Sequence, residues 1–320
     1  MISLPDFKEK QILFVKADWG VPSRLRFLND NIVFEKDHRV VNRVSIHKTF
    51  AVFVCGDLSF TTSFLRKARE YGVSVFFIKN NFETYGGIMA AAEGHYVLRM
   101  KQYAMSDDEQ LEISKKLVKN KILNQTILLK ERIDSSENKT KTEDRCQKYL
   151  KKIDQAETNE ELLGIEGNAS SVYFGEYFKD ISWRRRAPRT KEDLPNFLMD
   201  MGYTFLFNFV DSVLRLHGFD TFKGFYHRLF FQRRSLACDL MEPFRPLIDK
   251  QILKSFNLKQ VKENDFKVEN GAHKLPFENN AKYVQIFLEC LMDNKEMIFN
   301  YVHNFYRSVM DPVKNEFPSC

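Results

Sequence analysis

The stretch that most limits how this chain can fold is Phe197–Leu216, FLMDMGYTFLFNFVDSVLRL. It is the most hydrophobic long run in the 320 residues, yet Asp200, Asp211 and Arg215 interrupt it. It therefore reads as a long helix surrounded by protein and not as a membrane span. Gly218 closes it as a helix stop. Such a helix requires a sizeable core, and a chain of this length can build two domains with at least one. Thirty Phe against two Trp fit the same reading, as core filler.

Before that helix the period changes once. From Gln11 to about Gly87 the pattern is mainly β, with strands at Gln11–Ala17, Val40–Ile46, Thr49–Cys55 and Val73–Ile78. Arg24–Glu35 reads as a hairpin turning at Asn29-Asp30-Asn31, and Asn80-Asn81 as a further turn. Phe64, Leu65 and Ala68 recur at helical spacing within Phe60–Tyr71, with Gly72 as terminator. After Ala90 the reading is helical throughout. Ser106–Glu109 and Thr158–Glu161 are capping boxes, and Asp134–Thr142, polar and without apolar anchors, reads as a loop between helices. The last helical segments fall in Asn280–Met310, with a break near Asp293-Asn294. The fold class is α+β: a β-sandwich-like domain with one helix over residues 1–89, then a larger all-helical domain over 90–320.

A net charge of +6, from 49 Lys+Arg against 43 Asp+Glu, makes a polyanionic partner plausible, and any anion-binding surface must come from clustering. The densest cluster is Arg184, Arg185, Arg186 and Arg189. Cys55, Cys146, Cys238, Cys290 and Cys320 are widely spaced with no CxxC, which argues against a zinc site or a disulfide framework and fits a reducing cytosol. MISLPDFKEK has no apolar run of a secretory signal. The expectation is a soluble, cytoplasmic protein without membrane contact.

Three stretches carry chemistry. In Gly164–Phe178, GIEGNASSVYFGEYF, a helix puts Glu166, Ala169, Ser170, Tyr173, Phe174 and Tyr177 on one stripe. Glu166 is then either a solvated glutamate near a helix start or a carboxylate aimed into the protein, where it needs a cation or donors. Downstream lie Gly224–His227, GFYH, and Ser235–Pro246, SLACDLMEPFRP. In this order the three resemble the CRISPR-associated integrase family, the larger subunit of the machinery that inserts new spacers into CRISPR arrays.

The resemblance implies a catalytic metal site made of Glu166, His227 and Glu242. Two carboxylates and an imidazole suit Mg²⁺ or Mn²⁺, with room left for water and phosphate oxygens. Asp239, one helical turn before Glu242, is a catalytic candidate as a base behind a ligand, as a second-metal ligand, or simply as a helix-surface acid. Tyr173 is placed to reach the same pocket and contact DNA, or equally to sit in the core. Arg184, Arg185, Arg186, Arg228, Arg233 and Arg234 bracket the site in sequence as candidate phosphate contacts. Arg245 either pairs with an acid or binds phosphate. Pro243 directly after Glu242 implies a kink or a helix start there.

The family further implies double-stranded DNA as substrate, a homodimer built through the β-rich domain, and a small dimeric partner subunit. The reaction would join 3′-hydroxyl ends of captured DNA to the CRISPR repeat by transesterification. No Ser–His–Asp or Cys–His pattern and no Gly-rich phosphate loop competes with this reading. A structure-selective nuclease using the same site, or a DNA-binding scaffold without activity, are the alternatives.

Overall fold

The computed structural model describes residues 10–18, 20–79, 84–88, 90, 94–181, 183–227 and 229–319. The expected turn at Asn80-Asn81, Arg228 and Cys320 lie outside them.

Among the described residues two four-stranded sheets form the N-terminal part. The first has the order β1 (Gln11–Lys16), β5 (Thr49–Cys55), β7 (Ser74–Ile78), β8 (Thr84–Ile88), with β1, β5 and β7 parallel and β8 antiparallel to β7. The second runs β4 (Arg39–Ser45), β3 (Asn31–Lys36), β2 (Ser23–Leu28), β6 (Ser59–Phe60). The β2–β3 turn uses Asn29 and Asp30 at φ 46° and 55°, the positive-φ pair that a two-residue hairpin loop demands. α1 (Thr62–Glu70) is capped by the Thr61 hydroxyl and followed by Gly72 at φ 72°. Thus β-branched and aromatic runs make strands, and the one helical repeat makes one helix.

β5 explains why the two halves of the chain belong together. It is buried along its whole length. Val52 and Val54 point into the core shared by the two sheets and α1, while Ala51, Phe53 and Cys55 point the other way, into the helical core. Phe53 stacks between Phe14 and Phe76, with ring centroids 4.8 and 4.7 Å away. The first sheet is therefore a middle layer.

The helical part comprises α2 (Tyr96–Ala104), α3 (Asp107–Glu131), α4 (Ser136–Gln155), α5 (Asn159–Tyr177), α6 (Leu194–His217), α7 (Ser235–Met241), α8 (Arg245–Asn257), α9 (Phe277–Asp293) and α10 (Lys295–Met310). α6 is the expected surrounded helix, opened by the Asp193 cap and closed by Gly218 at φ 92°. Its acids are answered by cations: Arg186 lies 2.7 Å from Asp200, and Arg215 and Arg234 lie 2.9 and 3.1 Å from Asp211. At Gly202 a β-carbon would stand 2.5 Å from Ile248 Cγ2 and 2.7 Å from Phe287 Cε1, so α8 and α9 pack directly onto the α6 backbone. No helix among the described residues is long and apolar enough to cross a membrane.

Three expectations need correction. Asp134–Thr142 is not a loop: α4 begins at Ser136, capped by the Ser135 hydroxyl, and buries Thr142, Cys146 and Ile153 on one narrow face. A helix that offers so few apolar anchors looks like a linker in sequence. The part after Ala90 is not wholly helical, because β9 (Lys267–Glu269) and β10 (Ala272–Lys274) form a hairpin turned by Asn270 and Gly271, both at positive φ. At Thr158 only half of the capping box forms. The Thr158 hydroxyl accepts from Glu161 N, but Glu161 Oε2 accepts from Glu157 N instead.

Candidate active site

The three motif stretches meet at one cleft of roughly 1790 Å³, and α3 joins them. Glu166 comes from the second turn of α5, half-buried. Its Oε1 accepts from Ser170 Oγ at 2.7 Å, one helical turn on, and from the ammonium of Lys121 on α3. Small residues at Gly167, Ser170 and Ser171 leave this wall of the cleft open.

Glu242 falls where α7 ends. Pro243 cannot supply the amide that would continue the helix, and Glu242–Phe244 form a 3₁₀ turn before α8 begins at Arg245. The break turns the Glu242 side chain into the protein, 5% exposed. Lys121 Nζ lies 2.6 Å from its Oε2 and Arg245 Nε 3.0 Å from its Oε1. Burial alone would raise this carboxyl, but Arg245 and Lys121 beside it outweigh burial and hold it down at about 2.

His227 is delivered by the loop before α7, and Asp239 shapes that loop. Asp239 is fully buried. Its Oδ2 accepts from the amides of Phe225 and Tyr226 at 2.6 and 3.0 Å, and its Oδ1 from the amide and Nδ1 of His227 at 2.9 and 2.7 Å. Gly224 is required here, because a β-carbon would lie 2.7 Å from Asp239 Oδ2. A carboxylate only accepts, so Nδ1 is the donor, and in the neutral ring Nε2 carries the lone pair. That Nε2 faces Glu242 Oε1 at 3.9 Å. Asp239 is thus no helix-surface acid.

The cationic candidates divide. Arg184, Arg185 and Arg233 are exposed on the cleft, Arg185 carrying only a surface pair with Glu192 at 3.1 Å. Arg186 and Arg234 are ion-paired with Asp200 and Asp211. Arg245 pairs with Glu242 and lies over the Tyr203 ring at 4.5 Å. Tyr173 takes the core alternative: it is buried, stacked on Tyr177, and its hydroxyl donates to Asp249 at 3.1 Å. Burial pushes the Asp249 carboxyl up to about 6.

Sequence reasoning missed Lys121. The signal was present, since Leu117, Lys121 and Gln125 share a buried stripe of α3. It also missed the lip of the cleft, where Phe230 and Phe231 are 76% and 84% exposed. Cys238 lines the same cleft, but burial pushes its thiol up, away from the reactive thiolate.

Among the described residues no three His, Cys, Asp or Glu side chains converge closely enough to hold a metal ion as they stand. The donor set still suits a hard divalent cation: two carboxylates, and an imidazole whose second nitrogen is held by a buried acid. What stands between the carboxylates is the Lys121 ammonium.

Known proteins resemble this chain over most of its length. The family model described as "CRISPR associated protein Cas1" matches residues 20–289. A CRISPR-associated endonuclease Cas1 of Thermodesulfovibrio yellowstonii is 29% identical over 272 residues, covering 81% of this chain and 86% of the relative. One from Rhodospirillum rubrum is 30% identical over 267 residues, covering 78% and 77%. A chain solved in a partial Cas6-RT-Cas1–Cas2 complex superposes with a TM-score of 0.77 at 22% identity, over 97% of this chain and 98% of that one.

Proposed function

The chain belongs to the CRISPR-associated Cas1 family, the endonucleases of spacer acquisition, and from that premise we propose that the cleft joins DNA 3′-hydroxyl ends to a CRISPR repeat. The observation that carries this is His227. Its Nδ1 is fixed by Asp239 and its Nε2 is turned toward Glu242, in the cleft that Glu166 also lines, as a metal ligand must be presented. Glu166, Glu242 and His227 Nε2 would hold Mg²⁺ or Mn²⁺. Such an ion, when bound, polarises the scissile phosphate and stabilises the departing oxygen.

The chemistry needs no protein nucleophile. The 3′-hydroxyl oxygen gives up its proton and forms the new phosphorus–oxygen bond, and the 3′ oxygen of the nucleotide preceding the attacked phosphate leaves and takes up a proton, so no water is consumed. Asp239 holds the imidazole through Nδ1, and Arg245 beside Glu242 keeps that carboxyl ionised. Incubation with short duplexes, a supercoiled CRISPR-array plasmid, Mn²⁺ and the small partner subunit should give covalently joined strands. Nicking without joining would favour the nuclease reading. Neither product would leave a DNA-binding scaffold.

Arg184, Arg185 and Arg233 form the phosphate-binding rim in this proposal, because they are exposed on the cleft. Arg184→Gln or Arg185→Gln should lower the log–log salt slope of duplex affinity by about 0.9 and leave sequence preference unchanged. Arg186→Gln should instead leave the slope alone and lower the melting temperature, since it unpairs the inward-facing Asp200. Salt titrations and melts on the three variants decide; a reversed pattern would reassign the cluster.

The same proposal includes a homodimer through residues 1–89. Its support is β4, an edge strand with Val40 and Val41 56% and 57% exposed. Light scattering on the full chain should report twice the chain mass, and a monomer at micromolar concentration would remove this part. The related chain solved in a Cas6-RT-Cas1–Cas2 complex supports a second Cas protein as the small partner.

A further inference from the structure

Lys121 lies on α3, outside all three motif stretches, yet it reaches the centre of the site. Its side chain is 8% exposed. The ammonium is shared between Glu166 Oε1 and Glu242 Oε2, the latter at 2.6 Å. The remaining partners of these carboxylates are Ser170 Oγ on Glu166 Oε1, and Arg245 Nε and, at 3.9 Å, His227 Nε2 on Glu242 Oε1. Lys121 is the group that bridges the two carboxylates. A buried ammonium is costly without carboxylates, and two buried carboxylates are costly without a cation, so each requires the other in the absence of metal.

We propose that Lys121 is the resident counter-cation of the metal-free site, and that a divalent metal must displace it from between Glu166 and Glu242. This rests on the metal-dependent reading of the site. An ammonium and a divalent ion cannot share the two carboxylates at contact distance, because their mutual repulsion is strong even at the effective dielectric of a protein interior. Lysine suits such a role better than arginine: it is a compact charge on a flexible four-carbon stem, with no fork geometry to satisfy. Lys121 also lines the cleft, so the stem has open space into which to withdraw. The arrangement holds the two carboxylates close together before the metal arrives, and metal affinity is reduced by the work of moving the lysine.

The test uses the full-length protein and Mn²⁺ alone, without DNA, read by titration calorimetry or by the resonance of free Mn²⁺. Lys121→Met removes the competing charge and keeps most of the stem, and should tighten Mn²⁺ binding about tenfold or more. Lys121→Arg keeps the charge and should not tighten it. In EDTA the Met variant should melt below wild type, and Mn²⁺ should raise its melting temperature by more than it raises that of wild type. Should the Met variant fold only with Mn²⁺ present, the same conclusion follows more strongly. Wild-type affinity together with a wild-type Mn²⁺-induced melting shift in a folded Met variant overturns the inference while the metal site stands. Failure of the Met variant to fold in either condition also overturns it, since Lys121 would then be a structural cation that metal cannot replace. If wild type itself binds no Mn²⁺, the metal reading falls first and this inference falls with it.

Discussion

Glu166→Gln, His227→Ala and Glu242→Gln should each lower strand joining and cleavage by about a thousandfold or more, while duplex affinity should stay near that of wild type. Groups that share one metal act as a unit, so each single loss should approach the loss of all three, and double variants should be little worse. The glutamines keep the shape of the side chains and remove the charge. Their stability effects should differ, which guards against mistaking unfolding for lost chemistry. Glu242 is the partner of two inward-facing cations, Lys121 and Arg245, and its replacement leaves them under-compensated. Glu166 is half-buried, and its partner Lys121 retains Glu242. Glu242→Gln should therefore melt well below Glu166→Gln. Single-turnover rates, measured below the melting temperature of each variant, are the check. Near-wild-type turnover in any one of the three would remove that residue from the site.

Much of the site was legible because its motifs are local. Glu166 stands out as a carboxylate on an aromatic stripe, and the loop GFYH and helix DLMEPF each carry their residue within a few positions. Pro243 announced the helix break before any coordinates did, and the 3₁₀ turn at Glu242–Phe244 is its consequence. What the sequence left open involves partners distant in the chain. Tyr173 is decided by Asp249, Arg186 by Asp200 and Arg234 by Asp211, none of them its neighbour in the chain. An arginine beside a catalytic motif looks the same whether it faces DNA or an inward-facing acid. Lys121 is the intermediate case. It shares helical spacing with Leu117 and Gln125, but that spacing does not say which carboxylates the lysine meets. α4 failed for a different reason: packing of Thr142, Cys146 and Ile153 against neighbours holds a helix whose sequence is almost wholly polar.

Asp239→Asn should be the most damaging substitution that touches no proposed ligand position, because each oxygen of Asp239 has two donors aimed at it. With its amide nitrogen placed at Oδ2, asparagine would oppose the N–H groups of Phe225 and Tyr226, leaving both buried amides unpaired. With the amide nitrogen at Oδ1 it would oppose the His227 amide, and His227 Nδ1 would have to become an acceptor. The proton would then sit on Nε2, where it blocks metal ligation. Neither orientation preserves both the loop and the tautomer. The expected cost is about 2–5 kcal/mol of stability, from buried donors left without acceptors. Where the protein remains folded, turnover and Mn²⁺ affinity should fall about 10- to 100-fold, as when the hydrogen-bond partner behind a metal ligand is removed. Nitrogen chemical shifts of the His227 ring separate the two routes. A shift of the proton from Nδ1 to Nε2 reports the inverted tautomer, while an unchanged ring in a destabilised protein reports the unpaired amides. A variant that melts, binds Mn²⁺ and turns over like wild type would show that Asp239 neither shapes the loop nor orients the imidazole. The 2.7 Å contact between them would then have no part in the reaction.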